Sequence, residues 1–170
     1  MKKNVKVKRT FAEQAMDKLD IAYTSLFLNI LDMGEEEKND TLFELNIKES
    51  DIYKTLALLG DQTGPLIAVI PITMHLSEKK LALASGNKKT EMIPLKDLKK
   101  TTGYIHGANN PVGIHQMHPK FPIYFDYHSQ DSNFFLVSAG ELGRSDKINP
   151  NELAIKIGAV FADLAVNKID

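Results

Sequence analysis

Two apolar runs on either side of a short turn constrain this fold more than any other part of the chain. Residues 52–59 and 66–72 are rich in Ile, Leu, Val and Ala, and Gly60-Asp-Gln-Thr-Gly-Pro65 separates them. Runs of this length and composition are typical of buried strands, whereas Gly and Pro are typical of turns. The sequence therefore predicts a β-hairpin.

Helix and strand signals alternate along the rest of the chain. Capping residues and helical spacing predict four helices, over residues 10–20, 77–86, 94–100 and 149–164. Apolar runs predict strands over residues 21–31, 89–92, 121–126 and 133–138. Residues 34–40 are predicted to be an acidic solvated turn, and residues 101–119 a long loop. The pattern indicates an α+β fold, a mixed sheet flanked by helices.

Composition narrows the class of protein. The 170 residues suit a single domain over residues 1–170, and the net charge of −1 argues against a strongly basic nucleic-acid coat. The absence of Cys excludes disulfides, thiolate zinc sites and a cysteine nucleophile. The basic start, residues 1–10, is not followed by a signal-peptide core, and the run 66–72 is too short to span a bilayer. We expect a soluble cytoplasmic protein that needs no membrane.

Lys54 is the first residue that could carry chemistry. Strand alternation places it on one face with Ile52, Leu56 and Leu58. A lysine in an apolar row is uncommon because burying an unpaired ammonium is costly. Either the amine reaches water at an edge position, or it lies at the floor of a cleft to meet an anion or a polarised carbonyl.

The segment Gly103-Tyr-Ile-His-Gly-Ala-Asn-Asn-Pro-Val-Gly113 is the second candidate. Its Gly and Pro residues allow a loop that turns backbone N–H groups toward a phosphate or an oxyanion, although a plain surface loop fits equally well. His106 lies inside this loop and is the histidine most suited to line a site. Ser138, in Ser138-Ala-Gly140, directly follows a predicted strand, and no nucleophile elbow surrounds it.

The remaining histidines and lysines give weaker signals. His115 and His118 are three residues apart, but no carboxylate accompanies them and the nearby Gly and Pro argue against a helix, so we predict no metal site and no cofactor. Seven lysines lie between residues 79 and 100 against two acidic residues. This cluster is either a solvated face or a rim that attracts polyanions without reading bases.

Five short motifs together resemble the YbaK/EbsC-like family, which is related to the editing insertion of bacterial prolyl-tRNA synthetases. They are Ile52-Tyr-Lys-Thr-Leu56, Lys88-Lys-Thr-Glu-Met92, Thr102-Gly-Tyr104, Gly107-x-x-x-Pro111-x-Gly113 and Val137-Ser-Ala-Gly140. The resemblance runs from about Thr10 to Leu164. It implies a mixed, barrel-like sheet flanked by helices, the fold of the prolyl-tRNA synthetase-associated domain.

The resemblance also implies an activity, hydrolysis of the ester of mischarged tRNA, with Cys-tRNA(Pro) as the preferred substrate. Aminoacylated tRNA would be the partner, with prolyl-tRNA synthetase as a second one and no role for DNA. Lys54, Gly107 and Ser138 would be catalytic. The substrate would contact residues in the same motifs and near a further polar position: Tyr53, Thr55, His106, Ala108, Asn109, Asn110, Pro111, Gly140, Ser145 and Asp146.

Two departures from the family pattern bear on these expectations. Ala108 stands where many relatives have a second glycine, so its β-carbon could narrow the pocket or forbid a positive φ. Ile114-His-Gln-Met-His118 stands where many relatives have basic residues.

Three functions remain open at the level of the sequence. The first is a free-standing aminoacyl-tRNA deacylase, a trans-editing hydrolase or lyase in which positioning and oxyanion stabilisation supply most of the acceleration. The second is a module that binds tRNA or a synthetase without hydrolysis. The third is a small-molecule enzyme on the same fold.

Overall fold

The computed structural model describes residues 7–28 and 30–168. Within these residues the chain forms six α-helices and ten β-strands. The helices are α1 (Phe11–Lys18), α2 (Glu35–Glu44), α3 (Glu78–Ser85), α4 (Leu95–Thr102), α5 (Pro111–Met117) and α6 (Pro150–Ile157). The strands are β1 (Tyr23–Leu26), β2 (Tyr53–Gly60), β3 (Gly64–Pro71), β4 (Met74–Leu76), β5 (Thr90–Met92), β6 (Ile123–Asp126), β7 (Phe135–Ser138), β8 (Ser145–Ile148), β9 (Val160–Ala162) and β10 (Ala165–Asn167).

The predicted hairpin is confirmed and forms the middle of the largest sheet. Strands β2 and β3 pair antiparallel from Tyr53 opposite Pro71 to Gly60 opposite Gly64. The full order is β5-β2-β3-β6-β9, and β6 is parallel to both β3 and β9. The sheet is therefore mixed, as the sequence predicts.

A second sheet and a short ribbon complete the β structure. Strand β8 pairs antiparallel with β1 on one side and β7 on the other, while β4 pairs with β10. One isolated parallel bridge, between Ile52 and Leu136, joins the two larger sheets. The strands of residues 7–28 and 30–168 form separate ladders rather than one closed ring, so the barrel-like arrangement stays a prediction.

The main core lies between these sheets and helices α1, α5 and α6. It contains Met16 from α1, Ile114 from α5, Leu153 from α6, and Phe125 and Phe135 from the strands, all fully buried. Helix α1 begins with the predicted capping box, because the Thr10 hydroxyl accepts from the Glu13 amide at 3.1 Å and the Glu13 carboxylate accepts from the Thr10 amide at 3.0 Å. This box fixes the start of α1 against the core.

The prediction of a solvated acidic turn over residues 34–40 is wrong, because Glu35–Glu44 is helix α2. Three glutamates occupy its first turn, where the positive end of the helix dipole favours negative charge. Leu42 anchors the helix in a separate apolar cluster that also holds Ile52 and Leu136. The charge run is thus the exposed surface of a helix that packs through Leu42.

The prediction of an uninterrupted loop over residues 101–119 is also wrong, because Pro111–Met117 is helix α5. Asn110 caps it by accepting from the amides of Val112 and Gly113 at 2.7 Å and 2.9 Å, and Pro111 occupies the first position. A proline costs nothing there because the first amides of a helix have no internal partner. His115 therefore lies on a helix, contrary to the expectation from the nearby Gly and Pro.

Two further boundaries differ from the prediction. The last helix ends at Gly158, whose φ of +70° suits glycine, and Val160–Ala162 continues as β9 beside β6. The predicted strand over residues 21–31 is shorter, since β1 covers Tyr23–Leu26 and a short 3-10 turn follows at Ile30–Asp32. Asn29 of that prediction, like Met1–Lys6 of the basic start, lies outside the described residues. In the described chain no helix is long and apolar enough to cross a bilayer.

Candidate functional site

The candidate site lies where β2 and β7 separate. The two strands meet at the bridge between Ile52 and Leu136 and do not pair beyond it. The segment that follows α4 enters this split: the Asn109 side-chain amide donates to the Thr55 carbonyl on β2 at 3.3 Å. The next side chain, Asn110, donates to the Ser138 carbonyl on β7 at 2.7 Å. The glycine loop therefore spans the split and is attached to both of its walls.

Lys54 stands on β2 two residues beyond the bridge. Its strand neighbours Leu56 and Leu58 pack in an apolar cluster on the same face, so the predicted apolar row is confirmed. The side chain is half-buried, and within the described chain no acidic group pairs with it. Burial lowers the pKa of Lys54, and the charge of Lys168 lowers it further. An ammonium held this way is available to an anion that enters from outside.

Ser138 occupies the corresponding place on β7, two residues beyond the same bridge. Strand alternation puts it on the face of Leu136, which packs together with Ile52, and hence on the face of Lys54. Ser145 on β8 lies directly opposite Ser138. The fold thus brings Lys54, Ser138 and Ser145 to one face of the split, although they are far apart in sequence.

The Tyr104 ring packs between two other segments and fixes the position of the loop. The sequence alone does not predict this role. A β-carbon on Gly113 would lie 1.8 Å from the Tyr104 hydroxyl oxygen, and one on Gly140 would lie 3.1 Å from the ring. The ring therefore packs against two glycines, one on α5 and one just after β7. Burial raises the pKa of Tyr104 to about 12, so the hydroxyl stays neutral. The sequence signals Tyr104 only as a member of the motif Thr102-Gly-Tyr104, which assigns no role to its ring.

Two glycines of the segment, Gly103 at the end of α4 and Gly107 within the loop, are in the left-handed region. Gly107 has a φ of +85° and lies against Leu142 of the turn after β7, while His106 is exposed beside it. Ala108 is buried and is not among the positive-φ residues of the described chain, so its β-carbon causes no backbone strain. The loop conformation therefore accommodates Ala108 at the position where many relatives have a second glycine.

Tyr53 and Thr55 do not share the face of Lys54. The Tyr53 ring is in the main core against Phe135, with 5.2 Å between the ring centroids, and its pKa is raised by burial. Thr55 is buried, and alternation points its side chain the same way as that of Tyr53. Thr55 contributes to the split through its backbone carbonyl, which accepts the hydrogen bond from Asn109.

Asp146 also points away from the split. It is fully buried on the opposite face from Ser145, and burial and the adjacent Glu13 carboxylate raise its pKa to about 9. Burial acts against the charge on Glu13 too, but hydrogen bonds from Asp146 and the Thr10 amide, with the Arg144 charge, lower the Glu13 pKa. The opposite pKa shifts favour a protonated Asp146 beside an ionised Glu13. This pair joins β8 to α1 and does not face Lys54.

Two cavities lie elsewhere on the molecule. One of about 420 Å³ lies between α1 and β1, with Arg9, Tyr23 and Arg144 in its wall, and one of about 380 Å³ lies beside α2 and Phe134. Neither wall includes Lys54 or the loop. Among the described residues no group of three or more His, Asp or Glu side chains is arranged to hold a metal ion. His118 instead stacks on Phe121 with 4.4 Å between ring centroids.

Comparison with known proteins assigns the fold and the family. A family model described as aminoacyl-tRNA editing domain matches residues 39–155, more than half of the chain. A protein of Enterococcus faecalis (strain ATCC 700802 / V583), named "Putative Cys-tRNA(Pro)/Cys-tRNA(Cys) deacylase EbsC", is 42% identical over 124 residues, covering 73% of this chain and 74% of that protein. The resemblance to the YbaK/EbsC-like family is thereby confirmed.

Two solved structures share the fold at lower identity. One, described as "a putative trans-editing enzyme for prolyl tRNA synthetase", has a TM-score of 0.77 and 19% identity, covering 95% of this chain and all of that one. The other, "hypothetical protein APE2540", has a TM-score of 0.77 and 21% identity, covering 92% and 100%. With the family model and the enterococcal relative, these matches establish that the chain belongs to the aminoacyl-tRNA editing domain family.

Proposed function

We propose that this chain is a trans-editing aminoacyl-tRNA deacylase that removes the amino acid from mischarged tRNA, with Cys-tRNA(Pro) as its preferred substrate. The observation that carries the proposal is the half-buried ammonium of Lys54, which has no acidic partner among residues 7–28 and 30–168, in a strand split that the glycine loop spans. The family membership and the name of the enterococcal relative support the same substrate class.

Each side chain of the split has a role in this proposal. Lys54 binds a phosphate or ribose oxygen at the 3′ end of the tRNA, because a desolvated ammonium attracts an anion strongly. The backbone around Gly107 stabilises the oxyanion that forms on the ester carbonyl. Ser138 and Ser145 offer hydroxyls to the bound aminoacyl group, while Asn109 and Asn110 hold the loop to both walls.

The chemistry needs no strong protein nucleophile, because an aminoacyl ester is already activated. With a cysteinyl ester, the substrate's own thiol attacks the carbonyl carbon. The bond from that carbon to the ribose oxygen breaks, and the ribose oxygen takes up the proton that the thiol loses. The cysteine leaves as a cyclic thioester, which water then opens to free cysteine. Positioning of the ester and stabilisation of the oxyanion supply the acceleration.

The split receives only the end of the acceptor strand, so it offers no means of telling one tRNA from another. We therefore propose that prolyl-tRNA synthetase, in the cytoplasm where tRNA is charged, supplies the choice of tRNA. Adding the synthetase should then narrow the set of tRNAs that lose their ester.

A panel of charged tRNAs tests the proposal. Purified protein is mixed with Cys-, Ser-, Ala- and Pro-tRNA(Pro), and the remaining ester is followed over time. We expect rapid loss from Cys-tRNA(Pro) and little loss from Pro-tRNA(Pro). Because Ser differs from Cys only in the nucleophilic atom, survival of the seryl ester would support attack by the substrate thiol.

The other outcomes separate the competing functions. Binding of charged tRNA without loss of any ester would favour a module that binds without hydrolysis. Equal hydrolysis of free cysteine methyl ester and of Cys-tRNA(Pro) would favour a small-molecule enzyme.

A further inference from the structure

Helix α4 exposes three lysines on one face. Lys96, Lys99 and Lys100 follow the i, i+3, i+4 spacing that places side chains side by side on a helix, and all three are exposed. Lys100 pairs with Asp97 at 2.9 Å, whereas Lys96 and Lys99 have no acidic partner in the described chain. The buried residues Leu98 and Thr102 hold the helix to the protein. The face of α4 is thus a surface of net positive charge, with one of its three lysines paired.

This positive surface adjoins the candidate site. The Thr102 hydroxyl at the end of α4 donates to the Asn109 side-chain oxygen at 3.0 Å, and Asn109 in turn binds β2 beside Lys54. Two more exposed lysines, Lys88 and Lys89, precede β5, whose Thr90 pairs with Gly60 at the far end of β2. The six residue steps along β2 from Lys54 to Gly60 span about 20 Å. We call Lys88, Lys89, Lys96, Lys99 and Lys100 the lysine band.

An acidic helix packs against the apolar cluster at the base of the split. Helix α2 is anchored through Leu42 in the cluster of Ile52 and Leu136, at the base of the split. Its exposed side chains include five acidic residues, Glu35, Glu36, Glu37, Asp40 and Glu44. Lys38, which α2 also carries, is paired with Glu35 and Glu49. A polyanion is therefore attracted by the exposed lysines of α4 and repelled by the exposed carboxylates of α2.

We propose that the lysine band binds the phosphate backbone of the tRNA acceptor stem while the 3′ end enters the split, and that α2 faces away from the RNA. The inference rests on the proposed function and adds to it the direction from which the substrate approaches. The interaction is one of charge with phosphate, so it contributes affinity for the duplex without reading its bases.

Two substrates that share the ester but differ in the stem test this proposal. One is full-length Cys-tRNA(Pro), and the other is a cysteinylated CCA trinucleotide, which has no duplex. The variant K96Q/K99Q/K100Q should lose about tenfold or more in kcat/KM on the full tRNA, mainly through KM, and should be unchanged on the trinucleotide. The salt dependence of tRNA binding should weaken by about 0.7 to 0.9 in the log–log slope for each phosphate that the variant no longer neutralises.

A triple variant with the same change in net charge provides the control. Lys18, Lys120 and Lys156 are exposed and lie outside the lysine band, so K18Q/K120Q/K156Q should keep the wild-type affinity and salt slope. Equal losses in both triple variants would overturn the proposal, because only overall charge would then matter. A comparable loss on the trinucleotide would also overturn it, because the lysines would then act on the ester site.

A direct measurement of RNA binding tests the lysine band independently of the proposed deacylase activity. If the wild-type protein hydrolyses neither substrate, the proposed function fails. Titration of a fluorescent, uncharged acceptor-stem minihelix still decides whether the lysine band binds RNA. Weaker binding by the K96Q/K99Q/K100Q variant alone would support the band, and equal binding by wild type and both variants would refute it.

Discussion

The fully buried side chain of Asn110 makes hydrogen bonds to two different elements. Its oxygen caps α5, and its amide donates to the Ser138 carbonyl across the split. Serine can keep the cap but is too short to make the second bond. We expect Asn110→Ser to lose about 1 kcal/mol of unfolding free energy, less than Asn110→Ala, and to hydrolyse the ester more slowly because the loop is released from β7.

Asn110→Ala should lose both functions, with a cost of about 1 kcal/mol or more in unfolding free energy. Thermal melts and single-turnover rates measured on the same preparations distinguish the capping of α5 from the attachment of the loop to β7. A wild-type rate in Asn110→Ser would show that the attachment to β7 does not position the loop.

Asp146 gives the stability of the protein a defined dependence on pH. Its pKa is raised by burial from 3.8 to about 9, so the folded state keeps a proton that the unfolded chain releases above about pH 4. The contribution of Asp146 to the unfolding free energy is therefore greatest below about pH 4. It falls as the pH rises toward 9, by up to about 1.4 kcal/mol per pH unit. We expect Asp146→Asn to flatten that slope and to be more stable than wild type at pH 8.

Urea unfolding at pH 5, 6.5 and 8 measures this slope. Asp131, which is exposed, provides the matched control, and Asp131→Asn should follow the wild-type curve. Parallel curves for wild type and Asp146→Asn would mean that Asp146 is ionised in the folded protein.

At the scale of elements, the packing of α5 against the loop depends on a glycine. A β-carbon on Gly113 would lie 1.8 Å from the Tyr104 oxygen and 2.8 Å from the ring carbon that bears it. We expect Gly113→Ala to cost about 1–3 kcal/mol in unfolding free energy, because the Tyr104 ring must move. Adding Tyr104→Phe should restore part of that loss, since it removes the nearest atom.

Gly34→Ala is the corresponding control. Gly34 has open space around its position and an ordinary φ, so the change should cost only the preference for glycine over alanine at an N-cap, about 0.5–1 kcal/mol. Equal melting temperatures for Gly113→Ala and wild type would contradict the packing of Tyr104 on α5.

The elements that the sequence predicts correctly are those with strong local signals. The β2–β3 hairpin follows from two long apolar runs and a turn, and α1 and α3 follow from their caps. Helix α2 escapes prediction because its buried anchor Leu42 lies beyond the acidic run that dominates the local pattern. Helix α5 escapes prediction because Pro111 and Gly113 resemble a loop until Asn110 is known to cap them. In both cases tertiary packing, rather than propensity, decides the structure.

At the scale of the whole molecule, the site follows from a topology that spacing alone does not reveal. Lys54 stands out in the sequence because it interrupts an apolar row. That Ser138 and Ser145 share its face, and that Asp146 does not, depends on the pairing of β7 with β8 and on the bridge to Ile52. Lys168 gives no signal at all in the sequence, since only the fold brings it near Lys54. Long-range pairing of this kind is set by the complete core.

Single-turnover hydrolysis of Cys-tRNA(Pro) by Lys54→Ala is the most direct test of the central claim, that an unpaired ammonium in the split holds the substrate. The account predicts a rate lower by roughly a hundredfold or more, with no loss of thermal stability, because the change removes a half-buried unpaired charge. Lys156→Ala, an exposed change on α6, should hydrolyse at the wild-type rate. Hydrolysis at the wild-type rate by Lys54→Ala would contradict the account.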